Sequence, residues 1–174
     1  MKSNIVLIGF SGSGKTTLCK ALAAKLNRGF VDTDAMAEKT AGKPISFIFR
    51  DHGEPYFRQL EKNETIKASA MSNVVISTGG GVVLDPENME YLRRSGFIVW
   101  LQVSSQVIYE RISTDEKRPL IYSQNPMENI MAMLEEREPL YRQYSDTVLD
   151  TSSMTITECV EALFNMYGHQ GGLA

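Results

Sequence analysis

The chain has 174 residues, of which 43% are hydrophobic and 22% charged. This is ordinary globular usage and excludes a disordered tail protein, a collagen-like repeat and a disulfide-rich secreted module. Lys and Arg total 18 against 21 Asp and Glu, a formal charge of −3, so no global electrostatic attraction draws the chain to nucleic acid.

The first apolar run, Asn4–Ile8, ends in glycine and reads as a buried parallel strand. It is too short for a signal peptide or a membrane span, and no other apolar run approaches the roughly 18 residues a span needs. The expectation is a soluble, cytoplasmic chain without membrane contact. Lys15–Leu26 places Leu18, Ala21, Leu22 and Leu26 on one helical face. Gly29–Asp32 is a short strand. Residues 35–40 are helical and stop at Gly42-Lys43-Pro44. Residues 45–50 and 55–71 form a second helical block, with Phe57, Leu60, Glu61 and Glu64 at helical spacing. Val74–Ser77 is another buried strand and runs into Thr78-Gly79-Gly80-Gly81.

Residues 86–94 are a short helix opened by proline. Residues 97–103 are a strand, and 104–113 a helix capped by Ser104 or Ser105. The polar, proline-containing stretch 114–125 is a loop of lid length. Pro126–Tyr144 is a long helix in which Pro139 predicts a break or kink near Arg137. Residues 147–149 are a last strand, 156–166 a last helix and 168–174 a frayed tail. Five strands alternating with helices imply an α/β fold: a central five-stranded parallel sheet with helices on both faces, in one domain, 1–174. Cys19 and Cys159 lack partners at metal-ligand spacing and read as reduced, buried thiols.

Gly9-Phe10-Ser11-Gly12-Ser13-Gly14-Lys15-Thr16 fits the phosphate-binding pattern G-x-x-x-x-G-K-[ST] at every position. Its glycines let the backbone aim N–H groups at phosphate oxygens, and the following helix N-terminus adds partial positive charge. Lys15 would reach the β- and γ-phosphates, and the Thr16 hydroxyl can ligate Mg²⁺. The pattern follows an apolar strand and opens a helix, which is the context it needs. Nucleoside triphosphate and Mg²⁺ are therefore the expected ligands.

Asp32 and Asp34 leave the second strand at its carboxyl end, where ligands bind in open α/β sheets. One could hold a metal-bound water and the other accept a proton from an attacking hydroxyl. Alternatively, Thr33 or Asp34 caps the next helix. Arg58 lies one turn from both Glu54 and Glu61, which also describes a plain surface ion-pair ladder. Three glycines in series, Gly79 to Gly81, suit close approach of a ligand to the backbone. Arg118 sits in the long loop, where a closing arginine would exclude water and meet phosphoryl charge. Nothing local distinguishes Arg137 from Arg142, and Arg111 is equally anonymous on its helix.

Taken together, these residues resemble the shikimate kinase family over nearly the whole chain. The resemblance rests on Gly9 to Thr16, Asp32-Thr33-Asp34, Ile45-Ser46-Phe47-Ile48-Phe49 leading to Gly53-Glu54 and Phe57-Arg58, then Gly79-Gly80-Gly81, Arg118-Pro119-Leu120 and Arg137-x-x-Leu140-Tyr141. It implies a three-layer P-loop kinase fold with a lid loop, and ATP-dependent phosphorylation of the 3-hydroxyl of shikimate in aromatic amino acid biosynthesis. It further implies that Gly12, Ser13, Gly14, Lys15, Thr16, Thr17, Arg111 and Arg118 bind ATP. Asp34, Arg58, Arg137 and the backbone of Gly79, Gly80 and Gly81 would bind the acceptor, with Glu61 orienting Arg58. Asp34, Lys15 and Arg118 would be catalytic, and Mg²⁺ would be held by Thr16 and, through water, by Asp32. Shikimate and MgATP are then the partners of a monomer.

Ile121 departs from the family pattern conservatively, and Asp150-Thr151-Ser152-Ser153-Met154 lacks the arginine that many relatives place beside the adenine. Two other readings remain at this stage. One is a kinase of similar build acting on gluconate or a nucleoside monophosphate; the other is a catalytically silent nucleotide-binding module.

Overall fold

The computed structural model describes residues 2–113 and 125–169. Five strands, β1 (Asn4–Ile8), β2 (Gly29–Asp32), β3 (Val74–Ser77), β4 (Gly96–Gln102) and β5 (Thr147–Asp150), form one sheet in the order β2-β3-β1-β4-β5. Every pairing is parallel. Seven helices surround the sheet: α1 (Lys15–Leu26), α2 (Thr33–Ala41), α3 (Ile45–Ser69), α4 (Pro86–Ser95), α5 (Ser105–Ile112), α6 (Pro126–Tyr144) and α7 (Ile156–His169).

The sequence of β1 explains its central position. All five of its residues are buried, as expected of a strand covered on both faces. Alternate side chains serve opposite layers. Ile5 and Leu7 join Leu18, Cys19 and Leu22 of α1 and Cys159 and Leu163 of α7. Val6 and Ile8 join Ala68 of α3, Met89 and Leu92 of α4 and Tyr141 of α6. Burial of each Val, Leu, Ile or Met among them contributes about 1.5–3 kcal/mol. A smaller cluster of Ala37, Ile48, Phe57 and Leu60 ties α2 to α3. Both cysteines are buried and free, as expected.

Several boundaries differ from the sequence reading, each for a physical reason. Asp32, rather than Thr33 or Asp34, caps α2: its side chain accepts from the N–H groups of Asp34 and Ala35, so the helix opens two residues earlier. The two helical blocks expected around residues 45–71 form one element kinked at Gly53. Its φ of 78° there is a conformation that favours glycine, and Pro55 restarts the helix behind it. Ser104 is the cap of α5, its hydroxyl accepting from the Val107 N–H.

The break expected in α6 is absent, and the helix runs through Pro139 to Tyr144. Proline there removes only the bond to the Glu135 carbonyl, and Glu135 is exposed, so water can satisfy that oxygen. Gly168 and His169 belong to α7 instead of a frayed tail. The rest of that expected tail, and the expected lid with Arg118, lie outside the described residues. Among the described residues, no helix is long and apolar enough to cross a membrane.

Candidate active site

The carboxyl ends of β1, β2 and β3 carry the loops that build the site. After β1, the turn to α1 takes positive φ at Gly12 (82°) and Gly14 (90°). A Cβ on Gly12 would meet the Ile112 side chain at 2.6 Å, so neither conformation nor space admits another residue. Lys15 is 7% exposed, and its ammonium donates to the carbonyls of Gly9 and Phe10, both at 2.8 Å. The side chain thus arches back over the turn instead of extending into solvent. Thr16 donates its hydroxyl to Asp32 Oδ2 at 2.8 Å. Asp32 Oδ1 is engaged by the α2 cap, so this carboxylate is fixed from both sides.

Beside the turn lies a cleft of about 260 Å³. Ser13, Gly14 and Thr17 line one side, with Arg111, Met154 and Ile156 around them. Arg111 donates to the Gly12 carbonyl at 3.2 Å, which draws α5 against the phosphate turn. Met154, Ile156 and Cys159 at this cleft were not found by sequence reasoning. They follow the last strand, where the only available signal was an arginine missing from the family pattern.

Across the crevice, the glycine turn after β3 gathers the remaining charged groups. A Cβ on Gly79 would lie 2.7 Å from Asp34 Oδ1 and 2.8 Å from Glu61 Oε1. A Cβ on Gly81 would lie 2.4 Å from Arg58 Nη1. A side chain at either glycine would push these charged groups out of their present positions. Arg58 donates to Glu61 Oε2 at 2.8 Å and to Glu54 Oε1 at 2.8 Å from Nη2 and 3.1 Å from Nε.

The expected local ion-pair ladder is real, but it is not merely a surface feature, because Glu61 is 2% exposed. Burial pushes the Glu61 carboxyl above its usual range, with Arg58 and Arg137 pulling it back only in part. Burial also opposes the Arg58 charge, but Glu61 and Glu54 outweigh it and raise its pKa. Glu61 Oε1 has no hydrogen-bond partner among the described residues. Phe57 is core, packed on Phe49 with ring centroids 4.7 Å apart.

Arg137 comes in from α6. Its Nε is buried without a hydrogen-bond partner among the described residues, and its guanidinium lies 5.7 Å from the Phe10 ring centroid. Arg142, its rival in the sequence, is exposed and lies against Trp100 at 5.3 Å. The fold thus separates two arginines that local sequence could not. Among the described residues there is no group of three or more His, Cys, Asp or Glu arranged to hold a metal. A cation here would take most of its oxygen ligands from phosphate and water, the ordinary habit of Mg²⁺.

A phosphate-turn motif at the carboxyl end of the central strand of a parallel sheet, with Asp32, Asp34 and Arg58 gathered at the neighbouring strand ends, is the arrangement of a P-loop small-molecule kinase. The sequence model described as shikimate kinase matches residues 11–167, and the chain belongs to that family. The shikimate kinase of Caldanaerobacter subterraneus subsp. tengcongensis is 48% identical over 164 residues, covering 94% of this chain and 95% of the relative. The solved structure of Acinetobacter baumannii shikimate kinase in complex with shikimate is 30% identical, with a TM-score of 0.93 over 97% of this chain and 94% of that one. A gluconokinase structure from Sinorhizobium meliloti, 17% identical with a TM-score of 0.55 over 97% of this chain and 93% of that one, shares the fold alone.

Proposed function

We propose that the chain transfers the γ-phosphoryl group of ATP to the 3-hydroxyl of shikimate, giving ADP and shikimate 3-phosphate. The observation that carries this reading is the meeting of Asp34, Arg58 and Glu61 around Gly79 and Gly81, with Arg137 beside them. Shikimate has one carboxylate and several hydroxyls. Two guanidiniums match a planar carboxylate, and a carboxylate oxygen matches a hydroxyl. A nucleoside monophosphate offers no carboxylate, and the gluconokinase likeness extends to fold only.

In the transfer, a bond forms between the acceptor oxygen and Pγ while the bond from Pγ to the β–γ bridging oxygen breaks. Asp34 orients the hydroxyl and takes its proton. Lys15 leaves its carbonyl partners for the β- and γ-phosphates. Gly12, Ser13, Gly14 and Thr17 line the phosphate path and Arg111 flanks the base. Gly80 joins Gly79 and Gly81 in lining the acceptor pocket. Arg118, outside the described residues, is assigned to meet charge on the transferring group.

Thr16 and Asp32 fit a hard divalent cation. The hydroxyl donates its hydrogen bond to Asp32, which leaves its lone pairs free, and the donor set is all oxygen. Mg²⁺ bound there would neutralise charge on the β- and γ-phosphates. We place this one-domain protein in the cytoplasm as a monomer, with small molecules as its partners.

The test is ADP release from MgATP with shikimate, gluconate and a panel of nucleoside monophosphates. Turnover with shikimate alone is expected. Nucleotide binding without turnover of any acceptor would favour the silent module instead. Arg58→Ala is expected to raise the KM for shikimate about 10- to 100-fold, the loss of one charge-assisted pair, with the KM for ATP nearly unchanged. Equal losses for both substrates would assign Arg58 a structural role.

A further inference from the structure

We propose that Tyr141 is a positioning residue for the acceptor site, its hydroxyl fixing the peptide between Gly80 and Gly81 and the approach of Arg137. Tyr141 lies one helical turn after Arg137 on α6, so the two share a face. It is fully buried, and its hydroxyl donates to the Gly80 carbonyl. The ring stacks on Trp100, with centroids 5.8 Å apart and planes 23° apart. A buried ring on an aromatic platform has little rotational freedom, so the hydroxyl is delivered to one place.

The peptide bond makes this contact consequential. The Gly80 carbonyl and the Gly81 N–H belong to one planar trans unit and point in opposite directions. Holding the carbonyl toward α6 therefore aims the Gly81 N–H away from Tyr141. Gly81 is also the residue against which the Arg58 guanidinium packs. Unpinned, a run of three glycines would sample many peptide orientations. Burial pushes the Tyr141 hydroxyl far above its usual value despite the neighbouring Arg137, so it remains a proton donor throughout the working pH range. One phenol thus ties the glycine turn to the helix face that carries Arg137, while Tyr141 itself is not among the residues that line the nucleotide cleft; Gly80 in turn lies close to the Phe10 and Ser11 backbone.

The inference rests on shikimate as acceptor, so wild-type turnover with shikimate is measured first; its absence would overturn that reading itself. Tyr141→Phe keeps the ring and its stack and removes one donor. The variant is expected to raise the KM for shikimate at least tenfold, lower kcat less than threefold and leave the KM for ATP within twofold. A shikimate KM within twofold of wild type, or parallel rises for both substrates, would overturn the proposal.

Trp100 is the chain's single tryptophan and gives a second readout. Shikimate alone should change its emission saturably in the wild type, and the change should shrink in Tyr141→Phe. Should the variant fail to fold, the wild-type titration decides: emission unmoved by saturating shikimate would overturn the proposal, and a saturable change would support it.

Discussion

Asp34→Asn should lower kcat about 100- to 1,000-fold while ATP binding stays within about twofold of wild type. The substitution preserves volume and leaves the α2 cap untouched, because the cap is Asp32. What it removes is the negative oxygen beside Gly79, where no side chain separates carboxylate from backbone. An amide still offers one acceptor, but it cannot take a proton. Phosphoryl transfer through a loose transition state demands positioning more than basicity, which limits the loss to the lower part of the range for a general base. Steady-state kinetics with titration calorimetry for ATP would check this, and circular dichroism would confirm the fold. Turnover near the wild-type rate would reject Asp34 as the group that receives the hydroxyl proton.

Lys15→Met should reduce kcat/KM for ATP by about 100- to 1,000-fold, the usual loss for one preorganised donor aimed at developing charge. Methionine retains much of the reach and apolar stem of lysine, so the buried arch over the phosphate turn can persist. The variant loses the cation and leaves the Gly9 and Phe10 carbonyls without the partner they have in this structure. ADP release at varied MgATP would measure the effect. A change of less than about fivefold would mean that the backbone amides and the helix N-terminus carry the phosphates without it.

The strands were legible because a strand buried on both faces needs a near-continuous apolar run, which residues 5–8 in β1 and 97–101 in β4 supply. The phosphate turn was legible because its chemistry is local: glycine, lysine and threonine act within eight residues. Arg137 was not, because its role depends on α6 crossing the sheet. Only the fold buries its Nε and leaves Arg142 outside. The same holds for Asp32, whose two carboxylate oxygens serve Thr16, from another element, and the α2 cap at once. Pro139 misled in the opposite sense, since a local rule about helix interiors gave way to an exposed site where the lost bond falls on water. Tyr141 was visible as a letter in a motif, but its hydroxyl acquires meaning only against Gly80, 61 positions away.

The strand order also has a consequence for how the chain is made. No pair of neighbouring strands can form as a hairpin. The nearest-paired residues in the sheet are Gly29 with Val74, and the central strand pairs Ile5 with Val75 on one side and Phe97 on the other. During synthesis β1 therefore precedes its partners: about 70 residues separate it from β3, which covers one edge, and about 90 from β4, which covers the other. Helices can form early from local contacts, but the sheet closes late and all at once. Refolding should accordingly be slow for a chain of this size, with helical circular dichroism recovering before the fluorescence of Trp100, which reports the closed sheet. Until then β1 is the segment that a holding chaperone would have most reason to bind.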